Sequence, residues 1–414
     1  MKNIITLNFS LLILLNSFAL AQQEKPDFGI SLSGFVKTDI IFDSRQTVSL
    51  REGHFFLYPA NELLDKNNVD INAKANFNIL SIQTRLAGKI TGPDAFGAKT
   101  SGMIEGEFFG TSDGDVNGFR LRHAYTKLDW ENTSVLVGQT WHPMFVTEVF
   151  PGVVSFNTGA PFQPFSRNPQ LRVTQSFGDL KVIAAAATQR DFQSYGPDAN
   201  DKSVQSSSYL RNSVIPNLHI QLQYKTGENI LGAGADYKKL TPRLATTKNL
   251  KTNESINSLS AIGYMKLSLS PFTIKAEGVY GNNLADMLML GGYAVKSIDT
   301  LTGFETYTNL SCYSIWGELI YGKELEFAVF GGYSQYLGAK NNIEKKYYSR
   351  INNMDNLIRI SPRIQWNSGK TRISTELEYT AAAYGVPKDD NKGLVEQTKL
   401  ITNLRLLLAV YYFF

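Results

Sequence analysis

Arg120 and Arg122 are separated by one residue, and so are Glu105 and Glu107. On a β-strand that spacing puts each pair on one face. A guanidinium stays charged at any working pH and can grip a carboxylate through two parallel hydrogen bonds. On a water-filled wall, a ring of arginines favours anions and repels cations. Against lipid, each arginine would cost about 2–4 kcal/mol near the midplane, so both must face water or protein. Opposite Arg120 and Arg122, the apolar face carries Phe119, Leu121 and Tyr125; opposite Glu105 and Glu107 stand Ile104 and Phe108. By the same rule Arg85, Arg172, Arg359, Arg363, Arg372 and Arg405 fall on polar strand faces and are candidate pore-lining residues. Two arrangements stay open: arginines free for a passing anion, or arginines paired with Glu105 and Glu107 across neighbouring strands, which still leaves a transverse field.

A second group lies in 142–168, which is apolar for a segment that should be wet. Phe145, Phe150, Phe156, Phe162 and Phe165, with Pro151, Pro161 and Pro164, precede Arg167. The expectation is a loop that folds into a lumen and narrows it; the alternative is a subunit contact. Other signals do not reach the level of a site. Asp113 to Gly118 begins like a calcium loop, but Ala124 stands where the twelfth-position acid is required, which leaves a tight turn. His54, His123, His142 and His219 lack paired ligand spacing, so no metal is expected. Gly232-Ala233-Gly234 lacks a third glycine and a following helix, and reads as a thinned strand. No Ser/His/Asp order marks a hydrolase, and no cofactor is implied.

The elements that must position these residues show period-two alternation. Leu218, Ile220, Leu222 and Tyr224 alternate with His219, Gln221, Gln223 and Lys225; Leu404, Leu406, Leu408, Val410, Tyr412 and Phe414 share one face of the last segment. Val69 to Ile79 also alternates. Candidate strands cover 33–42, 78–91, 101–110, 118–129, 133–141, 169–177, 179–188, 217–225, 229–238, 256–269, 272–281, 307–322, 324–337, 355–367, 370–381 and 397–414, about sixteen. Segment 61–77 is a possible extension of the second. Long links (43–77, 142–168, 189–216, 239–255, 282–306, 338–354 and 382–396) alternate with tight ones. Long external loops and short periplasmic turns are the topology of a transmembrane antiparallel up-and-down β-barrel. A soluble sandwich would show the same alternation, but not this loop pattern together with a terminal aromatic.

Residues 1–21 read as a cleaved signal peptide: Lys2, an apolar core at 11–20, then Ala19-Leu20-Ala21. The mature barrel domain is expected over 22–414. Elsewhere no apolar run reaches the roughly eighteen residues of a helical span. The single Cys312 cannot form an internal disulfide. With 41 Lys plus Arg against 37 Asp plus Glu, the balance excludes a nucleic-acid-scale charge excess. Twenty Tyr and 25 Phe at only 43% hydrophobic content suit aromatic girdles on a wall whose every second residue is polar. Phe414, after Tyr411, Tyr412 and Phe413, is the terminal aromatic that barrel assembly machinery reads.

The order of four motifs resembles the DcaP-like outer-membrane porin family: Thr84-Arg85-Leu86, Gly102 to Gly110 (GMIEGEFFG), Phe119 to Tyr125 (FRLRHAY) and Val137 to Trp141 (VGQTW). Weaker echoes are Gly281 to Leu284, Gly291-Gly292-Tyr293 and Ser361 to Ile364. Glu107 stands where the family more often has Asp, and 163–216 has no counterpart. The resemblance implies a sixteen-stranded barrel, a homotrimer, and passage of small, often anionic, organic solutes.

The reading from sequence is therefore a non-enzymatic diffusion pore in the outer membrane of a Gram-negative bacterium, its partners being the lipid bilayer and small hydrophilic solutes. The first alternative is a closed structural or adhesive barrel using 189–216 and 239–255 as outer contacts. The second is a barrel hydrolase. A plugged energy-coupled transporter and a fatty-acid-type barrel are less favoured, since no plug domain is seen before the first strand.

Overall fold

A computed structural model describes residues 28–414. The expected signal peptide lies outside the described residues. Sixteen antiparallel strands close into a barrel. They are β1 (Gly29–Asp43), β2 (Asn76–Leu80 and Arg85–Thr91, both paired with β1), β3 (Lys99–Glu107), β4 (Arg120–Asp129), β5 (Thr133–Trp141), β6 (Arg167–Phe177), β7 (Leu180–Ala187) and β8 (Asn217–Thr226). There follow β9 (Asn229–Leu240), β10 (Ile256–Leu269), β11 (Phe272–Asn282), β12 (Glu305–Gly322), β13 (Leu325–Ala339), β14 (Met354–Ser368), β15 (Thr371–Lys388) and β16 (Leu394–Phe413). Each strand pairs with its sequence neighbours. The cycle closes where β1 meets β16, with Phe35 opposite Phe413 and Asp43 opposite Arg405. Closure leaves no sheet edge, which is what allows β-structure to cross lipid.

The alternation has its physical cause in the two solvents of the wall. On β16, Leu404, Leu406, Leu408, Val410 and Tyr412 are exposed on the outer surface, while Asn403 and Arg405 are buried inside. On β8, Leu218, Ile220, Leu222 and Tyr224 point out, and Asn217, His219, Gln221 and Gln223 point in. An outward apolar band around a polar interior is a transmembrane barrel surface, and it fits a Gram-negative outer membrane.

Three expectations are corrected. The alternation over Val69–Ala75 is not strand: Ile71–Ala73 form a short 3-10 turn capped by the Asp70 side chain, and extended pairing begins at Asn76. The expected long link 382–396 is mostly strand, with only Asp389–Gly393 between β15 and β16. Its alternation is lost because Ala381 to Tyr384 are buried on both faces, the Tyr384 hydroxyl donating to the Pro59 carbonyl at 2.7 Å. Tyr125 was expected beside Leu121 on the outer face. A bulge opposite Glu105 and Gly106 shifts the register, so Arg122 and His123 are both buried and Tyr125 follows them inward.

The core is made by loops that enter the barrel. Residues 44–75 carry a hairpin, Thr47–Leu50 with Phe55–Pro59, whose second strand is wholly buried. Segments 142–166 and 283–291 join it. Phe55, Phe109, Met144, Phe156, Phe165, Leu284, Met287 and Leu290 form one cluster with wall residues such as Tyr264, Trp316 and Phe330.

Candidate functional site

Strand pairing delivers the arginine–glutamate constellation. Glu107 faces Arg85 on β2 and Arg120 on β4, and the bulge brings in Arg122. Glu107 is fully buried and takes Arg120 Nη2 at 2.6 Å, Arg122 Nη1 at 2.8 Å and Arg85 Nη2 at 3.1 Å, with Arg167 Nη1 at 3.9 Å. Glu105 takes Arg122 Nε at 2.7 Å. Asp191, from the loop after β7, takes Arg167 Nη2 at 2.7 Å and approaches Arg120 Nη1 at 3.8 Å. Four guanidiniums thus surround three carboxylates, and of the two arrangements open in the sequence, these arginines are paired. Aromatic faces carry the remaining cationic surface: Arg120 lies 4.5 Å over Phe109 and Arg167 lies 4.9 Å over Trp141.

Arg359, Arg363 and Arg405 face inward as well, but under the inserted loops. Arg359 bonds Glu378 at 3.1 Å and donates to two loop carbonyls, Leu57 at 2.6 Å and Ala160 at 2.9 Å. Arg405 forms a bidentate pair with Asp43, at 2.9 and 2.7 Å, and donates to the Gly53 carbonyl at 2.7 Å. Arg363 pairs with Glu318, and with Glu326 at 2.8 Å. These three hold structure together. Arg172 and Arg372 differ. Arg172 donates to Gln170 Oε1 at 3.0 Å and to the Trp141 carbonyl; Arg372 donates to Asn367 at 2.7 Å and lies over Phe413. Neither has a carboxylate partner among the described residues.

Segment 142–166 crosses the interior. The Gly152 N–H donates to Glu318 at 2.9 Å, the Val154 N–H to Glu376 at 2.6 Å, and Asn157 Nδ2 to Glu378 at 2.8 Å. In return the Val154 carbonyl accepts from Lys37 at 3.0 Å, and the Phe162 carbonyl from Ser314 at 2.9 Å. Phe145, Phe156, Phe162, Phe165 and Arg167 are buried and Phe150 is half-buried. Gly332 makes room for this insertion, since a Cβ there would come within 2.6 Å of the Phe162 ring.

Among the described residues, two cavities on the inward side bear on the site. One, of about 320 Å³, lies between Arg85, Arg122 and Arg372 and the rings of Trp141, Phe150 and Phe156, with Glu105 its single carboxylate. The other, of about 220 Å³, is lined by Lys127, Arg172 and Lys181 with Glu148. Among the described residues, His54 bonds Asp39, His142 bonds Asn217 and the Met144 N–H, and His219 bonds Asp236 and Gln221, while His123 has Glu105 at 3.6 Å; no Ser hydroxyl bonds a His ring.

Sequence reasoning missed the inserted hairpin at 47–59, for which Phe55-Phe56-Leu57-Tyr58, an apolar run inside an external loop, was the available signal. It also missed a cluster of His142, His219 and Asp236, which only the fold assembles.

No family model and no curated protein matches this sequence. Solved structures do. The outer membrane channel DcaP of Acinetobacter baumannii superposes with a TM-score of 0.67 at 16% identity, over 94% of this chain and 97% of that one. The fold is that of an outer-membrane porin. The expected resemblance to DcaP-like porins therefore holds at the level of the porin fold. The anion-selective porin from Comamonas acidovorans matches over 94% of this chain and 100% of its own, with a TM-score of 0.53 at 11% identity. OmpT of Vibrio cholerae matches over 94% and 99%, with a TM-score of 0.56 at 8% identity.

Proposed function

We propose that this porin-like barrel is a passive diffusion channel for small hydrophilic solutes, with anions favoured, and that it is not an enzyme. The observation that carries the reading is the charge of the two cavities: each sets three Lys or Arg side chains against one carboxylate. Fixed positive charge in a narrow wet space concentrates anions and raises the barrier for cations. In this reading, Arg172, Arg372 and Lys181 carry the selectivity. Arg85, Arg120 and Arg122 line the passage, their charge partly offset by Glu105 and Glu107. The insertion at 142–166 sets the width. A homotrimer, removal of residues 1–21 and recognition of Phe414 by the assembly machinery belong to the same reading. One of the structural neighbours, the porin from Comamonas acidovorans, is itself anion-selective, which supports the sign of the preference.

The test is single-channel conductance of the purified protein in planar bilayers under a salt gradient. Stepwise openings with an anion-favouring reversal potential are the expected result. Folded protein without openings would replace the pore with the closed barrel. Cation preference would keep the pore and discard the role given to the arginines.

A further inference from the structure

Asp236 on β9 is buried, and its charge contacts are two histidines. Oδ2 lies 3.3 Å from His219 Nδ1 and 3.4 Å from His142 Nε2. The nearest lysine on the same strand, Lys238, is taken by Asp286 and by the Asn283 carbonyl. The hydrogen-bond network fixes which nitrogen of His219 carries the proton. Glu148 can only accept, so Gln223 donates to it through Nε2 at 2.5 Å. Gln223 Oε1 therefore receives the Tyr264 hydroxyl proton at 3.1 Å, and the Tyr264 oxygen accepts from Gln221 Nε2 at 2.6 Å. That turns Gln221 Oε1 toward His219 Nε2 at 3.0 Å, so Nε2 carries the proton. The neutral ring then aims its Nδ1 lone pair at the Asp236 carboxylate. Two lone pairs facing each other in a buried site require a positive charge between them.

We propose that His142, His219 and Asp236 form a binding site for a borderline divalent transition-metal ion of the Zn²⁺ class. A single proton serves one nitrogen–oxygen pair. A metal ion serves both pairs, and all three ligand atoms lie within 4.8 Å of one another. In a tetrahedral site with bonds of about 2.0–2.2 Å, ligand atoms stand about 3.3–3.6 Å apart, the spacing found along both edges that share Asp236. Two imidazoles and a carboxylate form a three-ligand set that leaves the fourth position to water or to Asn217 Oδ1, which now accepts from His142 Nε2 at 2.6 Å.

Occupancy has a structural consequence. His142 must give up its Nε2 proton and carry one on Nδ1, which now faces the Met144 N–H at 3.3 Å. The peptide at the root of the 142–166 insertion therefore turns when the ion binds, tying that root to β8 and β9.

The test uses the full chain, folded in detergent, incubated with Zn²⁺ alone and then desalted. Elemental analysis should find about one Zn²⁺ retained per chain, and Co²⁺ should give the intense d–d absorption of a tetrahedral site. His219→Gln and Asp236→Asn should each reduce retention at least about tenfold, with far-UV circular dichroism unchanged. Wild-type protein that retains no zinc and gives only the octahedral Co²⁺ spectrum overturns the proposal, whether or not the variants fold. Full retention by both variants overturns it too.

Discussion

The Val154 N–H donates to Glu376 Oε2 at 2.6 Å, joining the tip of the 142–166 insertion to the wall across 222 residues of sequence. Val154 is also held through its carbonyl, which accepts from Lys37 on β1. The insertion is thus pinned to β1 and β15, the two strands that flank β16, and in the proposed reading the width of the lumen depends on such side-chain bonds.

Removing residues 150–164 should raise single-channel conductance by roughly twofold or more, because conductance follows the open cross-section. Glu376→Ala, which frees only the tip, should raise open-channel noise. Conductance unchanged by the deletion would show that the insertion does not restrict the passage.

Selectivity should follow the unpaired cations. Arg172→Gln combined with Lys181→Gln should lower the anion-to-cation permeability ratio more than Arg120→Gln does, because Arg120 is already offset by Glu107. Reversal potentials under a salt gradient decide this, and equal effects would mean that pairing does not mask charge in the lumen.

Arg405 and Asp43 form a buried bidentate pair. Arg405→Met leaves Asp43 uncompensated and should destabilise the barrel by about 3–5 kcal/mol, read as the midpoint of urea unfolding from detergent. Asp43→Leu added to it should recover much of the loss. A single variant as stable as the parent would show that water or the inserted hairpin reaches Asp43.

The outer loops carry an acid-sensitive contact. Asp201 is bonded by Lys346 and by Arg243. Burial pushes its carboxyl up, but those two cations outweigh burial and hold it below the ordinary value. A carboxylate lowered in the folded state stabilises fully above its unfolded pKa, about 3.9, and the contribution is lost as pH falls through the lower folded value. Protease access to 195–205 should therefore be constant at neutral pH and rise only on the acid side. Asp201→Asn should show raised access at every pH.

A charge on the lipid face should be costly. Leu406 is exposed in the middle of β16, and Leu406→Arg should cost about 2–4 kcal/mol if it sits at the midplane. The same unfolding measurement checks it, and a loss near zero would place Leu406 near an interface or against protein.

The sequence by itself determined the wall. Alternation is a local consequence of lipid on one side and a polar interior on the other, so all sixteen strands, the inward side of Arg120 and Arg405, and the outward side of Leu404 and Leu406 could be read from spacing. Spacing failed where a contact outside the strand overrode that local rule. The bulge at Arg122 moved Tyr125 inward, and Ala381 to Tyr384 lost alternation because the whole stretch is buried, with Tyr384 held to Pro59 of the inserted hairpin. What fills the interior was decided by tertiary structure alone. Arg359 grips Leu57 and Ala160, and Glu376 holds Val154, through pairs hundreds of residues apart that no local pattern encodes. His142, His219 and Asp236 meet for the same reason: β8 pairs with β9, and the loop after β5 turns inward to meet them.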